Sequence, residues 1–349
     1  MTTHRFPLSK TPPQDRTPWG SRVAMTAANF PALRGMSLYR LAIAAGGFRE
    51  PHWHPNADEL GYCTSGRLLV TVFSSGNRHD LFTIEAGEMY VVPSGSFHSI
   101  ENVGGGAAEI VAVFSHESPE DFGLSGSVGC MAPEVMGNTW GLPAAEVAAV
   151  TRSPEDMLFG QVDGSAEVPA IASFPNPLKF PVEAMPPLIA DEWGSAKLAR
   201  SDLWPALRRH SMFSLRLGGR GMREPHWHPE TAELGYVVAG RARMTIKGPG
   251  GAESVDTFDL EPGDAYFVPA AYPHHIANLD GPDGEALHFL VFFDRALGAD
   301  IGYTGGIAAF PRRIVAPTLG TSVAKLPAYP QLPQDLMIVK AVNPRYGPA

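Results

Sequence analysis

Short runs of apolar residues recur along both halves of the chain, and turn-forming residues separate them. In the first half these runs cover residues 37–44, 67–73, 88–93 and 109–114. In the second half the corresponding runs cover residues 212–217, 241–246, 264–269 and 286–293. Glycine-rich and proline-rich segments such as SSGN, EAGE and KGPGG lie between them. Short strands at regular spacing, with turn signals between them, predict an all-β chain folded as sandwiches or closed barrels.

An internal repeat relates the two halves. The segment REPHWHPNADELGY at 49–62 returns as REPHWHPETAELGY at 223–236, an offset of 174 residues. Downstream, GEMYVVPSGSFHSIEN at 87–102 matches GDAYFVPAAYPHHIAN at 263–278. A repeat of this length indicates the duplication of a whole domain, because the units of a solenoid are much shorter.

The repeat predicts two β-domains joined by a linker. We place the N-terminal domain at residues 1–163, the linker at 164–178 and the C-terminal domain at 179–349. The linker is rich in proline and small residues, which is typical of connecting segments. A weaker, helical pattern over 131–160 and 308–340 predicts short helices after each set of strands.

Charge and hydropathy exclude several kinds of partner. The chain of 349 residues has a formal net charge of −9 and contains no cluster of basic residues. This argues against a nucleic acid partner, because phosphate binding needs clustered Lys and Arg. No apolar run reaches the ~18 residues of a membrane span. The N-terminal segment lacks the apolar core of a signal peptide, so a cytoplasmic location is expected.

Each copy of the repeat contains histidine and glutamate in a spacing typical of metal ligands. His52 and His54 lie two residues apart in a predicted strand, where alternate side chains share a face. Glu59 follows five residues later, and His98 comes from a separate strand. The second set consists of His226, His228, Glu233 and His274. Imidazole and carboxylate ligands suit divalent first-row metals, so the pattern predicts a metal site in each half.

These motifs resemble those of the cupin superfamily. The first cupin motif runs from Gly46 through the H-x-H pair to Gly66, and the second runs from Gly87 to Asn102. The C-terminal half is similar, with Arg220 and Ala271 in place of two motif glycines. The fuller wording R-E-x-H-W-H is similar to that of bicupins of the oxalate decarboxylase type. The resemblance implies two double-stranded β-helix (jelly-roll) barrels.

The resemblance also implies an activity and its cofactors. It implies Mn²⁺, one per cupin domain and two per chain, with dioxygen as co-substrate or cofactor and Fe²⁺ as an alternative metal. The implied reaction is the decarboxylation of oxalate to formate and carbon dioxide by a homo-oligomer, a trimer or hexamer. Alternatives are oxalate oxidase activity, another bicupin oxygenase acting on a small carboxylate, and a metal-binding barrel without catalysis.

Two kinds of catalytic residue follow from this comparison. Arg49 and Arg223 precede the first histidine ligand by three residues, where a guanidinium would bind a substrate carboxylate and stabilise developing charge. The family carries its general acid on a loop that corresponds here to FSHESPEDFGL at 114–124, which lacks the family's Ser-Glu-Asn-Ser motif. Glu117 and Glu120 are the candidates for that acid.

Several further side chains are candidates for supporting roles. Tyr62 and Tyr236 follow the glutamate ligands by three residues and are predicted either to hydrogen-bond them or to fill the barrel. Asp58 adjoins Glu59 and competes with it for the ligand position, although the second repeat has Ala232 there. In the C-terminal half the family's glutamate falls at Val291, so a proton would come from another group. Candidates for that group are His275 and His288.

Overall fold

The computed structural model describes residues 4–150, 153–164, 168–281, 284–332 and 334–343, which form two compact units. The N-unit consists of Thr11–Ala184 and Trp204–Ala206. The C-unit consists of Met1–Lys10, Met185–Leu203 and Leu207–Ala349. Both units are built mainly from antiparallel β-strands, which confirms the predicted all-β class.

The strands are numbered in chain order. Those of the first half are β1 Arg5–Phe6, β2 Asp15–Thr17, β3 Gly20–Met25, β4 Ser37–Ile43, β5 Gly47–Trp53, β6 Glu59–Ser65, β7 Arg67–Ser74, β8 Arg78–Glu85, β9 Met89–Val92, β10 Phe97–Asn102, β11 Ala108–Phe114, β12 Phe122–Gly123, β13 Phe159–Gln161 and β14 Lys179–Phe180. Those of the second half are β15 Ile189–Asp191, β16 Gly194–Ala199, β17 Ser211–Leu217, β18 Gly221–Trp227, β19 Glu233–Ala239, β20 Ala242–Lys247, β21 Val255–Leu260, β22 Ala265–Val268, β23 His274–Asn278, β24 Leu287–Phe293, β25 Ile301–Gly302 and β26 Ile338–Lys340.

The helices are short and follow the strands of each half. The α-helices are α1 Leu124–Gly129, α2 Pro133–Trp140, α3 Ala144–Ala148, α4 Tyr303–Ala308 and α5 Arg312–Thr318. Single turns of 3₁₀-helix lie at Leu8–Lys10, Ala170–Ser173, Val182–Ala184 and Ala252–Ser254. Within the described part of the chain, no helix combines the length and the apolar character needed to cross a membrane.

The N-unit consists of two sheets whose inner faces enclose the core. The strand order of one sheet is β14-β9-β6-β11-β4-β3-β2, and that of the other is β12-β5-β10-β7-β8 with β13 on the free edge of β5. Apolar side chains such as Leu41, Val70 and Ile110 are at most 4% exposed and fill the space between them. Burial of these side chains is the main source of stability for such a barrel.

The C-unit repeats this architecture. Its sheets have the orders β1-β22-β19-β24-β17-β16-β15 and β21-β20-β23-β18-β25, and β26 pairs with β18 as β13 pairs with β5. A continuous cluster of buried residues that includes Leu215, Met244 and Phe289 forms its core. The equivalent strand orders of the two units confirm the predicted duplication of a cupin-type barrel.

Four short segments form strands that the sequence pattern did not predict. Residues 5–6 form β1, which pairs with β22 of the C-unit, and residues 179–180 form β14, which pairs with β9 of the N-unit. Residues 159–160 and 338–340 fall in the stretches with a helical pattern but form part of β13 and all of β26. In each case a short segment satisfies the backbone groups of an exposed strand edge, which a local pattern does not indicate.

Candidate metal centres

The N-unit gathers its four predicted ligands on the inner side of the barrel. His52 of β5 lies opposite His98 of β10, His54 directly follows β5, and Glu59 is the first residue of β6. One donor atom from each of the four residues lies within 4.8 Å of the others. Their exposure is 2–3%, so the cluster is buried. The structure therefore brings together the four side chains that the sequence grouped from separate segments.

The C-unit contains the equivalent cluster. His226 of β18 lies opposite His274 of β23, and the donor atoms of these two residues, His228 and Glu233 again lie within 4.8 Å of one another. Glu233 Oε2 is 2.7 Å from His228 Nε2 and 3.1 Å from His274 Nε2. The two clusters match in residue type, burial and strand position.

Each histidine of the two clusters is oriented by its outer ring nitrogen, Nδ1, which donates a hydrogen bond to a backbone carbonyl. In the N-unit the acceptors, at 2.7–3.1 Å, are the carbonyl oxygens of Glu50, Glu120 and Ser96. In the C-unit the acceptors, at the same range of distances, are those of Glu224, Ala299 and Tyr272. A proton on Nδ1 leaves the lone pair on Nε2, and this orientation is typical of histidines that bind a metal.

The electrostatic environment favours neutral His52 and His226 and ionised glutamates. Burial, followed by the charge of Arg49, holds the pKa of His52 well below its ordinary value. Burial would raise the pKa of Glu59, but the adjacent His54 and His98 outweigh it and lower that pKa. The same directions apply to the pKa values of His226 and Glu233. Burial would lower the pKa of His54 and His228, but the neighbouring carboxylates outweigh it and raise the pKa of both histidines. A neutral imidazole beside an ionised carboxylate is the form in which both groups bind metal.

A tyrosine in each unit supports the carboxylate. Tyr90 Oη donates a hydrogen bond to Glu59 Oε1, and Tyr266 Oη donates one to Glu233 Oε1 at 2.5 Å. Burial raises the pKa of both tyrosines well above the ordinary value, so they remain donors. A Cβ atom on Gly61 would lie 2.0 Å from the Tyr90 ring, so glycine at this position leaves room for the tyrosine.

The sequence pattern had pointed to Tyr62 and Tyr236 in place of these two tyrosines. Tyr62 is buried, but its hydroxyl donates to Glu183 Oε1 at 3.3 Å and not to the glutamate ligand. The available signal was the repeated Y-x-V-P, which begins at Tyr90 and Tyr266. Asp58 accepts a hydrogen bond from the Ser94 amide at 2.8 Å, which places its carboxylate in a turn.

The donor set fits a divalent cation. His54 Nε2 is buried, and within the described residues it has no hydrogen-bond partner. It lies 3.2 Å from Glu59 Oε2. Leaving a buried polar atom unpaired is costly, and a cation bound between the two atoms would satisfy both. Three imidazole nitrogens and one carboxylate oxygen suit a first-row metal and leave two positions open on an octahedral ion.

The two predicted arginines lie beside the clusters because of an irregularity in their strands. Arg49 and His52 are an odd number of residues apart, so a regular strand would place them on opposite faces. The pairing of β5 with β10 shifts register between His98 and Ile100, and both Arg49 and His52 are buried. The same shift occurs beside Arg223, which lines the C-unit cavity. Such β-bulges commonly redirect side chains at functional sites.

Each arginine forms an ion pair with an aspartate. Arg49 Nη2 donates to both carboxylate oxygens of Asp121, at 2.5 and 2.7 Å, and Arg49 Nη1 donates to the Leu158 carbonyl at 3.3 Å. In the C-unit Arg223 donates to Asp300. The sequence analysis named neither aspartate. Asp121 lies in the loop that was searched for a general acid, and Asp300 occupies the matching position.

The two glutamates predicted as general acids lie elsewhere in that loop. Glu117 Oε2 accepts a hydrogen bond from the Gly35 amide at 2.9 Å. The side chain of Glu120 is exposed, and its backbone carbonyl orients His54. In the C-unit, Val291 contributes to the apolar wall of the cavity, and His288 Nε2 lies 2.9 Å from Ser214 Oγ.

This geometry defines a class of protein: a duplicated β-barrel with a buried three-histidine, one-glutamate cluster in each barrel. The family described as Cupin matches residues 7–148 and 185–325. The chain therefore belongs to the cupin family, and its two matched regions make it a bicupin. This confirms the resemblance that the motifs carried.

Proteins with similar sequences include oxalate decarboxylases and an oxalate oxidase. Oxalate decarboxylase OxdC of Bacillus subtilis is 27% identical over 298 residues, which cover 83% of this chain and 75% of that protein. A probable oxalate decarboxylase of Arthroderma benhamiae is 25% identical over 334 residues, 91% of this chain and 78% of that protein. Oxalate oxidase GF-3.8 of Triticum aestivum is 38% identical over 109 residues, which cover 30% of this chain and 49% of that protein.

Solved structures show the same fold. A structure of a variant of Bacillus subtilis OxdC superposes with a TM-score of 0.84 at 23% identity, covering 97% of this chain and 89% of that one. Another, which concerns the Mn(II) centres of that enzyme, superposes with a TM-score of 0.82 at 24% identity and the same coverage. The chain therefore has the bicupin fold of these enzymes and is similar in sequence to oxalate decarboxylases.

Proposed function

We propose that the protein is a manganese-dependent enzyme that acts on oxalate, with one Mn²⁺ in each unit. The observation that carries this proposal is the pairing of each four-residue cluster with a buried arginine. A bound Mn²⁺ would act as a Lewis acid and as a centre for one-electron chemistry. The metal would be held by His52, His54, Glu59 and His98 in the N-unit and by His226, His228, Glu233 and His274 in the C-unit.

Arg49 and Arg223 bind and orient the substrate in this proposal. A guanidinium forms parallel hydrogen bonds with a carboxylate, and oxalate offers one carboxylate to a metal and another to an arginine. The apolar walls of the site keep water away, which strengthens these charge interactions. The cavity beside the C-unit cluster is lined by Phe213, Phe289 and Val291 among others.

Decarboxylation requires a proton source. Oxalate plus one proton gives carbon dioxide and formate, and the proton must reach the carbon that carried the departing carboxylate. Glu117 and Glu120 remain the predicted acids. To serve, Glu117 would have to leave the Gly35 amide, and the exposed side chain of Glu120 would have to turn towards the site.

Oxalate oxidation is the second candidate, and the same loop favours it. Because Glu117 binds the Gly35 amide and Glu120 is exposed, neither carboxylate stands ready to deliver a proton. If that carbon is not protonated, the reaction follows another course, in which oxalate, dioxygen and two protons from solvent give two molecules of carbon dioxide and one of hydrogen peroxide. Dioxygen is then a co-substrate. We also predict a homo-oligomer and a cytoplasmic location, which light scattering and cell fractionation test.

Product analysis separates the two reactions. The manganese-loaded protein is incubated with oxalate in air, and formate and hydrogen peroxide are measured together with metal content. We expect formate as the main product. Peroxide in place of formate supports the oxidase, and neither product at full manganese occupancy would refute both. The protein reconstituted with Fe²⁺ tests the alternative metal in the same assay.

A further inference from the structure

The environment of the metal cluster differs between the units at two positions on neighbouring strands. Arg22 of β3 in the N-unit corresponds to Ala196 of β16 in the C-unit, because both occupy the same register position in their sheets. Tyr39 of β4 corresponds in the same way to Phe213 of β17. The N-unit therefore has a guanidinium and a hydroxyl where the C-unit has a methyl group and a phenyl ring.

In the N-unit this difference creates a site in which two arginines, Arg22 and Arg49, bind the same carboxylate. Asp121 Oδ2 accepts a hydrogen bond from Arg22 Nη1 at 3.0 Å and another from Arg49 Nη2 at 2.5 Å. Asp15 holds Arg22 from its other side, through Arg22 Nε at 2.7 Å. The Arg22 guanidinium also lies over the Tyr39 ring, 5.2 Å from its centroid. Two fixed guanidiniums thus converge on one carboxylate.

The burial of these groups favours an anion in the site, because Arg49 would otherwise face only Glu50, whose Oε1 lies 3.8 Å from Arg49 Nη1. The side chain of Arg49 is 3% exposed, and a buried guanidinium without a partner would be strongly unfavourable. Asp121 is 15% exposed and Arg22 is 19% exposed, so the aspartate lies on the solvent side of Arg49. Exchange of the Asp121 carboxylate for another carboxylate keeps the charge balance and returns Asp121 to water.

We propose that Arg22 and Arg49 form a two-guanidinium clamp for one carboxylate of a dicarboxylate substrate, and that Asp121 occupies this clamp when substrate is absent. This inference rests on the proposed function, in which the other carboxylate binds the metal. Asp121 then acts as an internal competitor of the substrate. The C-unit has Ala196 in place of Arg22, so its site binds the remote carboxylate of a dicarboxylate more weakly.

The clamp is tested by equilibrium binding to the full-length, manganese-loaded protein. Oxalate and formate are titrated by calorimetry without dioxygen into the wild type, Asp121→Asn, Arg22→Gln and Arg22→Lys. The stronger phase of oxalate binding is the one we assign to the N-unit. We expect Asp121→Asn to tighten this phase by about tenfold, because it removes the competing charge. We expect Arg22→Gln to weaken that phase by about tenfold and Arg22→Lys to weaken it less, since lysine keeps the charge without the planar fork. Formate, which has no second carboxylate, should bind Arg22→Gln as it binds the wild type.

Two controls test whether a change in oxalate binding comes from the N-unit clamp and not from the other unit or from loss of metal. Asp300→Asn makes the corresponding change in the C-unit, where Asp300 also lies 2.8 Å from Nδ1 of the predicted ligand His228, and should leave the stronger phase unchanged. Metal content is measured for each variant, and in the Arg22 and Asp121 variants it should equal that of the wild type because these residues lie outside the ligand set. If Arg22→Gln lowers metal content, Arg22→Lys is the deciding variant.

Weaker oxalate binding by Asp121→Asn would overturn the proposal, because it would mean that Asp121 positions Arg49 and does not compete with substrate. Unchanged oxalate binding by both Arg22 variants would also overturn it. Failure of the proposed function gives a different pattern. The wild type would then not convert oxalate, and malonate and succinate replace it as probes of the clamp. Turnover of oxalate with no response to Arg22 variants rejects the clamp alone.

Discussion

At each cluster the glutamate divides its two oxygens between a tyrosine and the histidines. Glu59 Oε1 accepts the Tyr90 hydroxyl, while Oε2 lies 3.1 Å from His98 Nε2. The tyrosine fixes the rotation of the carboxylate, so that one oxygen always faces the histidines. An oxygen that is held in place loses less conformational freedom when a metal binds. The hydroxyl therefore contributes to metal affinity without touching the metal.

Removing this hydroxyl should weaken metal binding in one unit at a time. We expect Tyr90→Phe to lower the Mn²⁺ affinity of the N-unit by about 10–100-fold, the usual effect of losing a group that orients a ligand. Tyr266→Phe should do the same in the C-unit. Competition with a fluorescent chelator measures both affinities.

The control for these substitutions is Tyr62→Phe. It removes a buried hydroxyl that donates to Glu183 and not to a ligand. Its manganese affinity should match that of the wild type. Equal affinities in all three variants would mean that the tyrosine hydroxyl does not orient the carboxylate.

At the scale of elements, strand β5 shows what the sequence could predict and what it could not. The alternation rule correctly placed His52 and His54 on one face, and the repeat identified the partners from other strands. The same rule does not place Arg49 on that face, because the bulge opposite Ile100 depends on pairing with β10. Asp121 was missed for a related reason. Its partner Arg49 is 72 residues away in the chain, and the search of its loop was for glutamate.

The bulged end of β5 also anchors the segments around the site. Glu50 is 1% exposed, and its carboxylate accepts hydrogen bonds from the Leu158 amide at 2.6 Å and the Ser125 amide at 3.0 Å. One side chain thus joins β5 to the start of α1 and to the segment before β13. Glu224 makes the equivalent contacts with the amides of Thr304 and Leu336. The contact with Ser125 fixes the C-terminal end of the loop that contains Asp121.

Replacing this carboxylate should loosen both attached segments. We expect Glu50→Gln to destabilise the N-unit by about 1–3 kcal/mol, because an amide NH₂ group would face a backbone N–H donor. Hydrogen exchange should become faster in peptides that contain Ser125 and Leu158. Exposed Glu85 provides the control, since Glu85→Gln should change stability by no more than about 0.5 kcal/mol. Unchanged exchange in Glu50→Gln would show that the two segments are held by other contacts.

At the scale of the whole molecule, duplication has kept both ligand sets while their surroundings have diverged. Arg22 and Tyr39 make the N-unit site polar, and Phe213 and Val291 make the C-unit site apolar. Selection for folding alone does not require three buried histidines and a buried glutamate, because burying apolar side chains costs less desolvation free energy. We therefore propose that both clusters bind metal and that the N-unit, with its polar surroundings, carries out substrate turnover.

Substitution of one ligand in each unit separates these two roles. We expect two manganese ions per wild-type chain, and one per chain after either His52→Ala or His226→Ala, because each cluster is complete within its own unit. Activity should fall much further in His52→Ala, since the remaining C-unit site has no counterpart of Arg22. Exposed His79 supplies the control, and His79→Ala should retain both ions and full activity. Equal losses of activity in the two ligand variants, at one ion per chain, would show that both units catalyse the reaction. Arg22 and Tyr39 would then not be the cause of higher activity in the N-unit.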